Sequence, residues 1–151
     1  MVAVAGLVAG NVFAQDIESA KALTNSENYN QAADMLQQLI QKEPSNSKYH
    51  FFLGENYLLS YFSDTISNSL AEFTQQAKEA FQKGVEANPN DPLNYVGLAK
   101  VAAYLGDNNT AQEMRTKARS LLLPFRNLRR IDPPADQYAF ALAKIAESHL
   151  I

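Results

Sequence analysis

The chain of 151 residues contains no cysteine and no tryptophan. The lack of cysteine excludes disulfide bonds and thiolate metal sites, although it says little about the cellular compartment. Glycine and proline number six each, and 46% hydrophobic with 19% charged residues is not the composition of a disordered or fibrous protein. The length fits one globular domain with a core of reasonable size.

The sequence also lacks the motifs that indicate catalysis or phosphate binding. It contains neither G-x-x-x-x-G-K-[ST] nor G-x-G-x-x-G, and nothing in it resembles a nucleophile elbow. The two histidines, His50 and His149, are far apart, and neither has a carboxylate or histidine partner four residues away. We therefore expect His50 to pack in the interior, and we expect no catalytic residue, no metal site and no cofactor.

Neither sign of charge dominates the chain. The net charge of −3 gives no general attraction to nucleic acid. Residues 115–130 nevertheless contain no acidic residue and carry these basic ones: Arg115, Lys117, Arg119, Arg126, Arg129 and Arg130. Such a run can meet phosphates, but only Phe125 lies inside it as a stacking aromatic, so a solvated face or pairing with the acidic first part of a neighbouring chain is favoured. We expect no nucleic-acid partner.

One stretch organises the rest of the chain. It reads H-x-x-L-G-x-x-Y, then A-x-x-x-F, then P, carried by His50, Leu53, Gly54, Tyr57, Ala77, Phe81 and Pro89. Leu53, Tyr57 and Phe81 fall at spacings that place them on one face of a helix. Gly54 and Ala77 lack bulk, so a neighbouring helix can approach closely there. The pattern resembles the tetratricopeptide repeat (TPR), a helix–turn–helix unit of about 34 residues.

Neighbouring copies of the unit support the resemblance. Small residues recur at Ala32, Ala77 and Ala111, and the longer first spacing contains a serine-rich insert at residues 60–69. The pair Gly106-Asp107 resembles the turn inside a unit, and residues 27–29 take its place in the first copy. The resemblance implies an all-α, right-handed array of helical hairpins (an α-solenoid) over residues 15–151. Its predicted parts are repeats at about 15–46, 47–91 and 92–131 and a partial fourth repeat at 132–151.

Periodicity and end signals predict the individual helices. They are expected at about residues 17–24, 29–42, 47–62, 70–87, 93–105, 109–122 and 135–150. Ser69 and Glu72 fit a capping box at the start of the fourth helix. Asp91 is expected to cap the next helix, with Pro92 at its first position. Pro124 is expected to interrupt the chain before a basic connector.

Residues 1–14 are mostly small and apolar. They are too few to span a bilayer as a helix, which needs about 20 residues, so we expect no transmembrane span. They resemble the apolar core and cleavage region of a secretory signal peptide, with Gln15 as the first mature residue, although no Lys or Arg precedes Lys21. We expect an exported protein of the periplasm or cell envelope. The alternative is a cytoplasmic protein in which these residues form an apolar helix on the first repeat.

The resemblance also implies a binding surface. Members of the family commonly bind extended peptides or helices on the concave face, which is lined by the leading helix of each repeat. Carried over to this chain, the lining residues are Lys48, Phe51, Phe52, Glu55, Leu59, Val96, Lys100 and Tyr104. Phe51, Glu55 and Gly97 stand where one subfamily needs polar or basic groups to hold a peptide's carboxylate, so an apolar, aromatic groove is implied instead. The alternative is that Phe51 and Tyr104 only pack against neighbouring helices and do not contact a partner.

Three functions are compatible with these features. The leading hypothesis is a non-enzymatic helical-repeat scaffold that holds a protein or peptide segment in its groove. The second is a structural scaffold that forms homo-oligomers through its last helix. The third is a docking or regulatory fragment of a larger enzyme or transport assembly.

Overall fold

A computed structural model describes residues 16–66, 69–126, 140–141, 143–144 and 146–148. Every regular element in these ranges is a helix. The helices are α1 (residues 16–25), α2 (Tyr29–Lys42), α3 (Ser47–Ser63), α4 (Leu70–Ala87), α5 (Pro92–Tyr104) and α6 (Asn108–Arg126). The described residues from 140 to 148 are also largely helical, and we call them the C-terminal segment.

Consecutive helices form three hairpins, α1–α2, α3–α4 and α5–α6. The closest associations are α3 with α4 and α5 with α6, and the hairpins join through α2 with α3 and α4 with α5. Contacts between α3 and α5 place the first helices of the second and third hairpins side by side. We call α3 and α5 the leading helices. The prediction of an all-α hairpin array is confirmed.

The hairpins meet around the ring of Phe81 on α4. This side chain is fully buried, and a Cβ atom added to Gly54 or to Gly97 would overlap its ring. The ring can therefore lie between α3 and α5 only because both helices carry a glycine at the point of contact. Ala77, one turn earlier on α4, is also fully buried. The predicted close approach at Gly54 and Ala77 is confirmed.

Buried asparagines on α3 and α5 bind the preceding hairpin, a role that the repeat pattern did not predict. The Asn56 side chain donates to the carbonyl of Tyr29 (3.0 Å) and accepts from the Thr24 hydroxyl (2.8 Å). The Asn94 side chain donates to the carbonyl of Ser47 (3.1 Å). Both polar atoms of the Asn56 amide are therefore paired, which avoids the cost of burying them, whereas the buried Asn94 amide uses its donor and leaves its oxygen without a partner among the described residues.

The turns inside the first and third hairpins have the same geometry but different residues. Glu27 and Gly106 both have positive φ, at 61° and 76°. In each turn the next amide donates to the carbonyl five residues earlier at 2.9 Å, which is the pattern of a Schellman motif. Glu27 and Gly106 also lie five residues before the buried alanines Ala32 and Ala111. The predicted turn at Gly106 is confirmed, and Glu27 occupies a position that favours glycine.

Three predictions about helix ends have different outcomes. The Asp91 side chain accepts from the amide of Leu93 (3.0 Å), so the predicted cap before Pro92 is confirmed. Ser69 is the residue before α4, but its side chain makes no capping hydrogen bond, so the capping box is wrong. The interruption at Pro124 is also wrong, because α6 continues to Arg126. A proline removes one hydrogen bond, which costs a helix least near its end.

Some predictions lie outside the described residues. They include the expected signal segment at residues 1–14 and the basic connector with the start of the last helix at residues 127–139. His149 is also outside. His50 is buried, as expected of a residue that packs in the interior.

Candidate groove on the leading helices

The leading helices carry the residues that were predicted to line a groove, but these residues are not equally open. Phe51 and Val96 are fully buried, with 0% of each exposed. Leu59 is 45% exposed, and most of the others are partly buried. Neither of the two cavities described below is lined by Val96, Lys100 or Tyr104.

Phe51 and Val96 are therefore core residues in this structure, in agreement with the packing alternative for Phe51. The Phe51 ring lies 5.9 Å from the Phe81 ring and 5.4 Å from the Phe52 ring. Since α3 contacts α2, α4 and α5, most of its circumference is covered. Helical spacing alone could not tell which of the adjacent residues Phe51 and Phe52 faces outward. Phe52, which is half-buried, is the one that lines both cavities.

An ion pair crosses between the two leading helices. The Lys100 ammonium donates to both Glu55 carboxylate oxygens, at 3.0 and 2.9 Å. Only 9% of the Lys100 side chain and 13% of the Glu55 side chain are exposed. At such low exposure, removing one partner would leave a buried charge unpaired, which is costly. Glu55 and Lys100 were both predicted to line the groove, and the structure pairs them with each other.

The C-terminal segment lies across this ion pair. The Lys144 ammonium is 3.6 Å from a Glu55 oxygen, and a Glu147 oxygen is 3.7 Å from the Lys100 ammonium. Lys144 and Glu147 are also paired with each other at 2.8 Å. Two cations and two anions therefore alternate in one network that joins α3, α5 and the segment.

Aromatic and backbone contacts hold the two ends of the segment. At one end the Phe140 ring lies 6.2 Å from the Phe51 ring in an edge-to-face arrangement and 6.2 Å from the Phe52 ring. At the other end Arg115 of α6 donates twice to the Ser148 carbonyl, at 3.1 and 2.7 Å. The segment thus runs from the aromatic part of α3 to the middle of α6.

The network perturbs the titration of both charged groups on the segment. Burial lowers the pKa of Lys144, but its bonds with Glu147 and Glu55 outweigh this effect and hold the pKa above 10.5. Burial raises the pKa of Glu147, but Lys144 and Lys100 outweigh it and hold the pKa below 4.5. Glu147 therefore contributes stability above about pH 4.5 that is lost in acid, and Lys144 contributes stability below about pH 10.5 that is lost in base.

Two cavities remain beside the segment. The larger has a volume of about 870 Å³, and its apolar side chains come from several helices: Ile17, Phe52, Pro92, Leu93, Leu122, Phe140 and Ala141. Charged residues line it as well: Glu18, Lys21, Glu43, Lys48 and Asp91. The smaller has a volume of about 180 Å³ and is lined by Phe51, Phe52, Glu55, Leu59, Phe140 and Lys144, among others. We call the larger cavity the groove.

The far ends of the leading helices form a separate aromatic patch. The Tyr104 ring lies 5.0 Å from the Phe62 ring, and burial together with the nearby Glu55 carboxylate raises the pKa of Tyr104. Leu59, Phe62, Ile66 and Leu105 are exposed large apolar residues. Tyr104 thus takes part in this patch and is remote from the groove's lining.

Two residues of the basic run contact other parts of the same chain. Arg115 binds the Ser148 carbonyl, and the Lys117 ammonium lies 5.9 Å from the centre of the Tyr95 ring. Three residues that reach α3 and α5 from the last helix were not among the predicted site residues: Phe140, Lys144 and Glu147. The signal was present in the sequence, because the spacing i, i+4, i+7 places all three on one helical face.

Other classes of site find no support in the described ranges. No group of three His, Cys, Asp or Glu side chains comes together there as a metal site. None of the helices described combines the length and hydrophobicity of a transmembrane span.

Comparison with known proteins shows similarity of structure without similarity of sequence. No protein-family model matches the chain, and no curated protein matches its sequence. Solved structures do match. The translocator chaperone SycD of the Yersinia enterocolitica type III secretion system superimposes with a TM-score of 0.67 and 14% identity, over 94% of this chain and 91% of that one. The fold is a TPR-like helical repeat.

Several of the similar structures contain a bound segment of another protein. SycD in complex with a peptide of the translocator YopD has a TM-score of 0.61 and 14% identity, over 93% of this chain and 94% of that one. PcrH of Pseudomonas aeruginosa in complex with the chaperone-binding region of PopB has a TM-score of 0.63 and 18% identity, over 89% and 94%. At such identities the likeness extends to the fold, so the role of each residue in this chain has to be argued from its own contacts.

Proposed function

We propose that this chain is a non-enzymatic scaffold that binds a segment of another protein on the face of its leading helices. The groove of about 870 Å³ carries the proposal, because it combines half-buried rings with charges of both signs on a TPR-like fold. In SycD and PcrH the same fold accompanies peptide binding. Phe52 and Lys48 supply an aromatic anchor and a flanking charge.

The lining favours a chain segment as the occupant. Its side chains come from α1, α3, α5 and α6 and from the C-terminal segment, so an occupant must extend across several helices. Aromatic side chains in such positions carry much of the energy of binding, whereas flanking charges mainly set the association rate and salt dependence. We therefore expect Phe52 to determine affinity and Lys48 to determine salt sensitivity.

A displayed library of random peptides tests the proposal and requires no named partner. Peptides selected on the folded chain are synthesised, and their affinities are measured for the wild type, Phe52→Ala and Lys48→Ala. The matched control is Gln82→Ala, an exposed position on α4. We expect Phe52→Ala to weaken binding by about 2 kcal/mol and the control to have no effect. Selection of no peptide, or equal binding by all the variants, contradicts the proposal.

Export to the periplasm or cell envelope is part of the proposal and is supported by the composition of residues 1–14. The test is expression in a bacterial host, followed by fractionation and mass determination of the purified chain. We expect an envelope fraction whose chain begins at Gln15. An intact chain beginning at Met1 in the cytoplasmic fraction contradicts this part of the proposal and leaves the binding function unaffected.

A homo-oligomeric scaffold is the second candidate, and it is favoured by the aromatic patch and by the exposed apolar side chains at and beyond the ends of the leading helices, Leu59, Phe62, Ile66 and Leu105. Ile66 is 97% exposed. If the patch joins two copies, light scattering will give a mass of at least twice that of a single purified chain. Ile66→Ser will then reduce that mass, and a wild type that is monomeric at high concentration rules this candidate out.

A further inference from the structure

The C-terminal segment makes contacts of the kind that a partner would make. It places an aromatic ring, Phe140, on the Phe51 and Phe52 rings and adds charges to the Glu55–Lys100 pair. It also lines both cavities, through Phe140 in each. The leading helices are therefore covered in part by a helical piece of the same chain.

The contacts of the segment form a single stripe. Phe140, Lys144 and Glu147 lie at i, i+4 and i+7, and Ala141 and Ser148, both buried, fall beside them at i+1 and i+8. Positions with this spacing share one face of a helix. The docking chemistry can thus be stated as a helix that presents an aromatic residue, then a basic one, then an acidic one.

We propose that the C-terminal segment is an internal ligand of the leading helices, which a partner helix with the same aromatic–basic–acidic stripe displaces. The inference rests on the proposed binding function and extends the site from the groove to the adjoining surface that the segment covers. The partner is a helical segment of another protein whose basic side chain meets Glu55 and whose acidic side chain meets Lys100. The segment acts as a gate for this partner.

The nature of the contacts makes displacement feasible. Part of the docking comes from ion pairs at an accessible edge, since 49% of the Glu147 side chain is exposed. Pairs of an exposed carboxylate are weak and are screened by salt, whereas Ala141 and Ser148 are buried. By contrast, Phe81 is enclosed between helices that belong to two hairpins. The segment can therefore leave while the hairpins stay packed.

The occupancy of the site by the segment sets how much the apparent affinity for a partner helix is reduced. If the segment occupies its site in about nine of ten molecules, the apparent affinity for a competing helix falls about tenfold. Release of the segment should raise the apparent affinity by the same factor.

A labelled synthetic peptide with the sequence of residues 135–151 is the probe, and its binding to the full-length chain is followed by fluorescence anisotropy. Lys144→Glu in the chain places a carboxylate beside Glu55 and Glu147 and should release the segment. We expect this variant to bind the probe about tenfold more tightly than the wild type does. Lys78→Glu is the matched control, because Lys78 is exposed on α4 and makes the same change of charge. It should bind as the wild type does.

A second variant and a second probe test the displacement of the segment independently. Phe140→Ala releases the segment by removing a ring instead of reversing a charge, and it should also tighten binding of the probe. A probe in which the lysine corresponding to Lys144 is replaced by glutamate should lose affinity for the Lys144→Glu chain, because its basic side chain no longer meets Glu55.

The outcomes distinguish this inference from the proposed function. Equal, measurable binding by the wild type and both variants overturns the gate and leaves peptide binding intact. No binding to any folded chain overturns the gate and also removes support for the groove. Loss of the helical circular dichroism signal in both Lys144→Glu and Phe140→Ala overturns the gate as well, since the segment then belongs to the core.

Discussion

Two regions on the leading helices differ in the way that they hold neighbouring parts of the chain together. Around Phe81 the contact is apolar and has no spare space, because Gly54 and Gly97 leave room for the ring and nothing else. Around Glu55 and Lys100 the contact is ionic and partly open, and the C-terminal segment completes it. We call the first the apolar junction and the second the ionic junction.

The difference indicates which contacts are permanent. Close packing between hairpins is lost only when the hairpins separate, because a buried ring has no alternative partner in water. The ion pairs of the half-exposed Glu147 lose much less on separation, since water and salt replace each partner. The apolar junction therefore sets the shape of the array, while the ionic junction suits exchange of one helical segment for another.

The largest expected effect comes from breaking the apolar junction. Phe81→Ala removes a fully buried ring that contacts two hairpins, and it should lower the free energy of unfolding by about 3–5 kcal/mol. Denaturant titration followed by circular dichroism measures the change. Phe140→Ala is the comparison at the ionic junction and should cost far less in the same transition. Equal costs would contradict the distinction between the two junctions.

Adding volume at the apolar junction should also be destabilising. Ala77 is fully buried on α4, and Ala77→Leu should lower the free energy of unfolding by about 1–3 kcal/mol through overpacking. The exposed alanine at position 71 on the same helix provides the control, since Ala71→Leu has space for its side chain. An unchanged unfolding midpoint for Ala77→Leu would mean that the helix can shift to accept it.

A change outside both junctions calibrates these measurements. Glu27 has positive φ, where glycine is free of steric cost, so Glu27→Gly should stabilise the chain by about 1 kcal/mol. Gly106→Ala, at the matching position of the third hairpin, should destabilise it by a similar amount. Both are read from the same denaturant titration. Loss of stability in Glu27→Gly, or a gain in Gly106→Ala, would show that the two turns are not equivalent.

The smallest predicted effect is a dependence on pH. Burial lowers the pKa of His50 below 6.5, so the folded chain binds this proton less readily than the unfolded chain. The neutral histidine therefore contributes stability that is complete above about pH 6.5 and declines as the pH falls through that range. As the pH is lowered from about 7 to about 5, the free energy of unfolding should fall less in His50→Phe than in the wild type. A wild type and variant with parallel pH profiles would contradict this.

Much of the fold follows from the sequence because it depends on local signals. Helix periodicity, the Asp91-Pro92 start and the turn at Gly106 are each encoded within a few residues, and each was predicted. Buried alanines at 32, 77 and 111 follow from the register of the repeat. Pro124 was misjudged because a proline's cost depends on where the helix ends, which tertiary contacts decide.

The site was harder to predict because it depends on distant pairing. Phe51 and Phe52 are adjacent and chemically identical, and only the arrangement of the elements packed on α3 decides that Phe51 is enclosed. The Glu55–Lys100 pair joins residues 45 positions apart, and Lys144 and Glu147 reach it from a separate helical piece. No local rule connects these charges, although the stripe at Phe140, Lys144 and Glu147 was visible.

Hydrogen exchange measured by mass spectrometry tests the central contrast most directly. The rates to compare are those of proteolytic peptides covering residues 140–148 and residues 77–87 in the wild-type chain, at low and at high salt. The account predicts that the C-terminal segment exchanges at least about tenfold faster than α4 and that salt accelerates the segment alone. Equal protection of both regions, unaffected by salt, would contradict it, because the ionic junction would then be as permanent as the apolar one.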